Sequence, residues 1–112
     1  MSFSYNEDQT QALHHVSFTL PQGTATGLVG PSGGGKSTIA QLILRFYETQ
    51  EGTIRIGGVD IRDIAPDVLM GMIGSVFQES FLFRDTVENN IRMGNRSASN
   101  EQVEQAARDA GI

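Results

Sequence analysis

Residues 30–37 read Gly-Pro-Ser-Gly-Gly-Gly-Lys-Ser and match the pattern G-x-x-x-x-G-K-[ST] at every defined position. A triphosphate is wrapped by backbone N–H groups, which requires a main chain that can approach closely and adopt positive φ angles. Gly33, Gly34 and Gly35 supply that freedom. The pattern therefore predicts a phosphate-binding loop for a nucleoside triphosphate, with ATP as the expected ligand.

The residues after the glycines carry the side chains that triphosphate chemistry needs. We expect the backbone amides of residues 33–38 to point at the phosphates, helped by the positive end of a helix dipole. Lys36 would bridge the β- and γ-phosphates, Ser37 would bind Mg²⁺, and Thr38 would contact the α-phosphate through its amide and hydroxyl. The predicted phosphate-binding residues are Gly30, Ser32, Gly33, Gly34, Gly35, Lys36, Ser37 and Thr38.

The alternative for this loop is a glycine-rich turn whose lysine is merely solvated. The flanking sequence disfavours it, because residues 25–29 have the composition of a short strand leading into the loop. After the loop, Ile39, Leu42, Ile43 and Phe46 repeat at helical spacing. Strand, glycine loop and helix follow one another in the order that phosphate binding requires.

Further elements are predicted on both sides of this unit. Pro66 suits the first turn of a short helix, and Ser99 with Gln102 forms a capping box in front of a helical stripe. The predicted strands are residues 13–20, residues 73–77, and a hairpin of residues 53–56 and 59–61 turned by Gly57-Gly58.

Composition limits the class of protein. Among 112 residues, 38% are hydrophobic and 19% charged, an ordinary globular balance with no apolar run long enough to cross a bilayer. The net charge of −5 disfavours nucleic acid as a partner. There is no cysteine and no signal peptide pattern at the start, so the expected compartment is the cytosol. His14 and His15 have no metal-ligand partners at useful spacing, and we assign them no chemistry.

Several segments outside the loop share features with one family. They are Phe3-Ser4-Tyr5, Leu-Ile-Leu-Arg-Phe-Tyr at 42–47, residues 52–61, Val-Phe-Gln-Glu at 76–79, and Phe81-Leu82-Phe83 with Thr86, Asn90 and Ile91. Together with the loop they resemble the ATP-binding domain of an ABC transporter of the exporter type. The resemblance implies an α/β P-loop NTPase fold, present in part: an antiparallel β-subdomain, the P-loop strand and helix, and the start of the helical subdomain.

The resemblance also implies roles for two residues beyond the loop. Tyr5 would stack on the adenine ring. Gln78, in the segment that resembles the family's Q-loop, would complete the Mg²⁺ shell and sense the γ-phosphate. Lys36 and Gln78 are then the candidate catalytic residues, and Ser37 and Gln78 the candidate metal ligands.

The implied partners are those of a transporter's energy module. Two such domains would sandwich two ATP molecules, and the region of Phe81 and Phe83 would receive the transmembrane domain at the cytoplasmic face of the cell membrane. The remaining alternatives are a P-loop phosphotransferase, a non-transport ABC ATPase, and a binding module without catalysis. The first would want an arginine-rich lid, whereas the arginines here are scattered.

Three family elements have no counterpart in the chain: the apolar strand ending in Asp-Glu, the Leu-Ser-Gly-Gly-Gln signature and the switch histidine. We therefore expect residues 1–112 to be the N-terminal part of one ATP-binding domain, with residues 1–80 in the core and 81–112 starting the helical subdomain. By itself such a piece would be marginally stable, bind ATP weakly and not hydrolyse it.

Overall fold

The computed structural model describes residues 1–5 and 11–112, which divide into two compact units, Met1–Ser75 and Val76–Ile112. Within these ranges the first unit contains two small antiparallel sheets and two α-helices, and the second contains two α-helices. None of the helices described is long and apolar enough to span a bilayer. The described ranges therefore contain both strands and helices, as the predicted α/β class requires.

The first sheet pairs β1 (Phe3–Ser4) with β2 (Gln11–Leu13) in antiparallel orientation. Phe3 lies opposite Leu13 and Ser4 opposite Gln11, so β2 has one more residue than β1 across the same span. Such a bulge bends the strand and redirects its side chains. Phe3 and Leu13 are both buried, and they form the sheet's contribution to the core.

Helix α1 (Lys36–Ile43) supplies the other half of this core. Ile39 and Leu42 are three residues apart and so share one helix face, and they cluster with the two buried residues of the first sheet. Leu42 is fully buried. The helix ends at Ile43, so Phe46, the last residue of the predicted helical stripe, lies outside the helix and is 54% exposed.

The predicted hairpin is confirmed in a shorter form. Strand β3 (Arg55–Ile56) pairs antiparallel with β4 (Val59–Asp60). The two turn residues, Gly57 and Gly58, have φ angles of 58° and 82°. Positive φ at both central positions is typical of the type I′ turn, which follows the strands' twist, and glycine adopts it without strain.

A short 3-10 turn (Ile61–Asp63) and helix α2 (Pro66–Met72) follow the hairpin. The carboxylate of Asp60 caps the turn by accepting from the backbone N–H of Arg62 at 2.9 Å. The side-chain hydrogen bond from the Arg62 guanidinium lowers the pKa of Asp60 to about 2. Pro66 occupies the start of α2 as predicted, and the buried Leu69 anchors that helix.

The second unit contains α3 (Val87–Arg92) and α4 (Asn100–Asp109), which contact each other. Thr86 caps α3, its side chain accepting from the third helical N–H. Ser99 and Gln102 form the predicted capping box at α4. Each cap satisfies helix N–H groups that have no partner inside the helix.

Three strand predictions are wrong. Strand β2 stops at Leu13, so residues 14–20 do not continue it, and residues 25–29 and 73–77 form no strand. A strand exists only when a partner accepts its ladder hydrogen bonds. In the described ranges none of these three segments forms a ladder, although Val16 exchanges two hydrogen bonds with the backbone of Met1. Their apolar side chains stay exposed in places, as the 97% exposure of Val29 illustrates.

Replacing Leu42 with alanine tests the core of the first unit. Leu42→Ala removes a fully buried side chain and leaves a cavity, so we expect the free energy of unfolding to fall by about 2–5 kcal/mol. Urea unfolding followed by circular dichroism measures the change. Val29→Ala is the control, because its exposed side chain predicts a change within about 0.5 kcal/mol. Equal effects of the two substitutions would contradict this description of the core.

Candidate functional site

The loop of residues 30–37 runs directly into α1, and two of its glycines have left-handed backbones. Gly33 has a φ of 79° and Gly35 a φ of 88°. The N–H of Gly34 donates to the carbonyl oxygen of Pro31 at 3.1 Å and closes a tight turn. Residues with a Cβ rarely adopt positive φ, so both positions favour glycine, and one of them, Gly35, is a position where the pattern specifies glycine.

Gly35 is also constrained by its surroundings. A Cβ at this position would lie 2.7 Å from the carbonyl oxygen of Ala12 and 2.7 Å from Cδ2 of Leu13. Both neighbours belong to β2, so the loop is pressed against the first sheet at the point where α1 begins. This contact sets the start of the helix relative to the sheet.

Lys36 folds back over the loop. Its ammonium group donates to the carbonyl oxygens of Gly30 at 2.7 Å and Pro31 at 2.6 Å. An ammonium has three N–H donors, so these two bonds leave one for another acceptor. The chain has no other lysine, and this positive charge is held at the loop by the two carbonyl oxygens.

The start of α1 adds a second source of positive charge. The helix begins immediately after Gly35, which has no side chain to cap it. The first N–H groups of a helix have no partner within the helix and carry the positive end of its dipole. Ser37 is exposed in this first turn, and Thr38 is buried beside it. An anion is therefore favoured at this helix end.

Tyr5 lies against the first turns of α1. Its hydroxyl is 2.8 Å from Oγ1 of Thr38, and it donates to Oε1 of Gln41 at 2.7 Å. The Tyr5 ring centroid is 5.0 Å from that of Phe3 and 5.2 Å from that of Tyr47, with perpendicular ring planes in both pairs. Tyr5 is 47% exposed. The structure thus brings Tyr5 to the helix that follows the phosphate loop, with part of its surface accessible.

Two residues at this site were missed by sequence reasoning. Gln41 follows Thr38 by three residues, so helical spacing alone places both on one face of α1. Tyr47 belongs to a segment that resembles the family, but nothing in the sequence indicates which residues it contacts. Its neighbours Phe3 and Tyr5 are more than 40 positions away in the chain.

Gln78 belongs to the second unit and is exposed, and its role at Mg²⁺ stays a prediction. Gly30 and Ser32 are exposed in the loop itself. In the part of the chain that the structure describes, no group of three or more His, Cys, Asp or Glu side chains is placed to hold a metal ion. A metal at this site would therefore depend on hydroxyl and amide oxygens and on the ligand's own phosphates.

The chain is similar to known proteins over nearly all of its length. The family described as ABC transporter matches residues 13–112. The ATP-dependent lipid A-core flippase of Desulfotalea psychrophila is 44% identical over 98% of this chain. ATP-binding cassette sub-family B member 6 of Homo sapiens is 49% identical over 98% of it. The solved structure of a bacterial Atm1-family ABC exporter with ATP bound aligns with 99% of the chain at 44% identity and a TM-score of 0.93.

The chain spans only part of these relatives. It covers 19% of the flippase, 13% of the sub-family B member and 19% of the exporter chain. These matches confirm the resemblance to ATP-binding domains of ABC exporters and the P-loop NTPase fold that this resemblance implies.

Adding a methyl group to Gly35 tests the contact between the loop and the sheet. Gly35→Ala strains a backbone with a φ of 88° and collides with β2, so we expect at least about 1–3 kcal/mol of destabilisation in urea unfolding. Gly30→Ala is the matched control, because its φ is not positive and a Cβ there meets no atom within 4 Å. If the two variants are equally stable, the close approach is not a constraint on the fold.

Proposed function

Since the chain belongs to the ABC transporter family of ATP-binding domains, we propose that it binds MgATP through residues 30–38 as part of an ATP-hydrolysing energy module. The proposal rests on one arrangement. Gly35 has a left-handed backbone, lies against β2 and starts α1, and the side chain of Lys36 is folded back over the same loop. The P-loop pattern requires a cradle of backbone N–H groups closed by a lysine, and this arrangement fits it.

The phosphates would be held mainly by backbone groups and one side chain. Amides of the loop and of the first turn of α1 would donate to phosphate oxygens, in the field of the helix N-terminus. Lys36 would use its remaining N–H on the β- and γ-phosphates, or exchange its carbonyl partners for phosphate oxygens. An ammonium bound to a charged oxygen makes a stronger hydrogen bond than one bound to a carbonyl, which favours that exchange.

The donor set at the loop also fits a magnesium ion. Hard cations such as Mg²⁺ take oxygen ligands and usually complete their shell with water and substrate phosphates. Ser37 has an exposed hydroxyl in the first turn of α1, and we assign it as the protein ligand at this loop, with Gln78 as a second. When bound, Mg²⁺ would neutralise charge that develops on the phosphates.

The adenine ring would stack on Tyr5. Its ring is about half exposed, and its hydroxyl is hydrogen-bonded to α1, the helix that begins at the phosphate loop. A base bound there would add stacking to phosphate recognition, and stacking on an aromatic ring tolerates different bases. The triphosphate would be recognised by the loop, and the nucleoside by the ring.

The family membership extends the proposal to transport. We propose that the energy module acts with a transmembrane domain and a second ATP-binding domain at the cytoplasmic face of the cell membrane. The flippase and exporter among the relatives favour transport over a phosphotransferase or a non-transport ATPase. The exposed Phe81, Leu82 and Phe83 are the proposed contact for the transmembrane domain.

Lys36→Ala tests the phosphate cradle. We expect weak but saturable binding of a fluorescent ATP analogue to the 112-residue chain, and at least about 10-fold weaker binding by the variant, because hydrogen bonds to charged groups contribute about 1.5–3 kcal/mol. Circular dichroism checks that both proteins are folded. Arg55→Ala removes an equal charge from β3 and should bind like the wild type. Unchanged affinity in folded Lys36→Ala would refute the cradle.

Ser37→Ala tests the proposed metal ligand. The wild-type protein should bind ATP more tightly in the presence of Mg²⁺ than in EDTA. In the variant, the increase in ATP affinity that Mg²⁺ produces should be at least about 10-fold smaller, since mutating groups that support a metal typically costs 10–100-fold in metal affinity. Binding in EDTA should be nearly the same in both proteins. If the variant keeps the full response to Mg²⁺, Ser37 is not the ligand.

A further inference from the structure

The hydrogen bonds at Tyr5 can be assigned by counting protons. Its hydroxyl carries one proton, and Oε1 of Gln41 can only accept, so the 2.7 Å bond between them uses the Tyr5 proton. The 2.8 Å bond between Tyr5 and Thr38 must then use the proton of Thr38, which leaves the backbone amide of Thr38 for the predicted contact with the α-phosphate. The acceptor on Gln41 therefore determines which group donates in both hydrogen bonds: Thr38 donates to Tyr5, and Tyr5 donates to Gln41.

The ring of Tyr5 contacts two other aromatic rings. Phe3 and Tyr47 each meet it with ring planes nearly perpendicular, at 88° and 90°. Phe3 and Tyr47 also contact each other, with centroids 5.5 Å apart. Perpendicular pairs at such distances are attractive beyond the area they bury. Phe3 is a core residue, whereas Tyr47 is 44% exposed, so Tyr47 can be changed without opening the core.

These contacts connect two parts of the nucleotide site. Thr38 and Gln41 belong to α1, the helix whose first turn lies at the phosphate loop. Tyr5 belongs to the segment that includes β1. Because the Tyr5 hydroxyl is bound to two residues of α1, the ring is held at a defined place relative to the phosphate loop.

We propose that Gln41 and Tyr47 are positioning residues that hold the Tyr5 ring for base stacking, and so determine how much the base contributes to nucleotide affinity. The proposal rests on the proposed function. Neither residue is assigned contact with the phosphates, so loss of either should weaken recognition of the base and leave recognition of the triphosphate intact.

The experiment compares two ligands on the full chain, MgATP and inorganic tripolyphosphate with Mg²⁺. The measured quantity is the ratio of their dissociation constants, because it isolates the contribution of the nucleoside, whose base is the part proposed to contact Tyr5. Gln41→Met removes the acceptor at similar size, and Tyr47→Leu removes the ring. Each should reduce the preference for ATP by about 3- to 10-fold, in line with the strength of one hydrogen bond or one aromatic pair.

Conservative variants test rescue. Gln41→Glu keeps an acceptor, and Tyr47→Phe keeps the ring, so each should restore the ratio toward the wild-type value. The added charge of Gln41→Glu acts on both phosphate ligands and therefore largely cancels in the ratio. Equal weakening of ATP and tripolyphosphate in Gln41→Met and Tyr47→Leu would show a structural role alone and overturn the proposal.

A measurement without ligand separates this inference from the proposed function. The chain has two tyrosines, so Tyr5 is the only tyrosine in Tyr47→Phe and Tyr47→Leu, and tyrosine-specific ¹³C labelling reports on it alone. Its ring resonances should move toward those of free tyrosine in Tyr47→Leu but not in Tyr47→Phe. Identical spectra would overturn positioning by Tyr47. Wild-type protein that binds neither ligand would overturn the proposed function, and base recognition with it.

Discussion

The close approach of Gly35 to β2 is the constraint on which the rest of the site depends. The carbonyl oxygen of Ala12 and the side chain of Leu13 occupy the space that any Cβ at position 35 would need. The same glycine starts α1 with a left-handed backbone. Because this contact joins sheet, loop and helix at one residue, the helix N-terminus has a fixed position at the loop. The orientation of the first N–H groups of α1, and so the proposed phosphate site, follows from that position.

Helix α1 then serves two purposes with two faces. Its apolar face, with Ile39 and Leu42, completes the core of the first unit. Its polar contacts, through Thr38 and Gln41, hold the hydroxyl of Tyr5. A helix packed in this way cannot rotate without disrupting either its buried contacts or its hydrogen bonds. Core packing therefore stabilises the fold and also keeps the proposed base and phosphate sites in a defined position relative to each other. Stability and nucleotide recognition thus depend on the same eight-residue helix.

The predictions that succeeded and those that failed differ in how local their causes are. The Gly57-Gly58 hairpin turn, the proline start of α2 and the capping box at Ser99 were all confirmed, since each depends on residues within a few positions of one another. The strands at 25–29 and 73–77 were wrong, because an apolar segment becomes a strand only with a hydrogen-bonding partner. Family membership was also predictable from short motifs, and the comparisons confirm it.

The amino-acid sequence already specifies the chemistry of the candidate site: the glycines that permit a phosphate loop, one lysine, and a serine at the start of a helix. These follow from residue type and from spacing along a few turns of chain. Folding adds what the sequence does not show: β2 leaves no room for a Cβ at Gly35, and the Lys36 ammonium donates to the carbonyls of Gly30 and Pro31. It also brings Gln41 and Tyr47 into contact with Tyr5. Contacts between residues distant in the chain depend on how sheet and helix pack, and packing is a property of the whole unit that no local pattern contains.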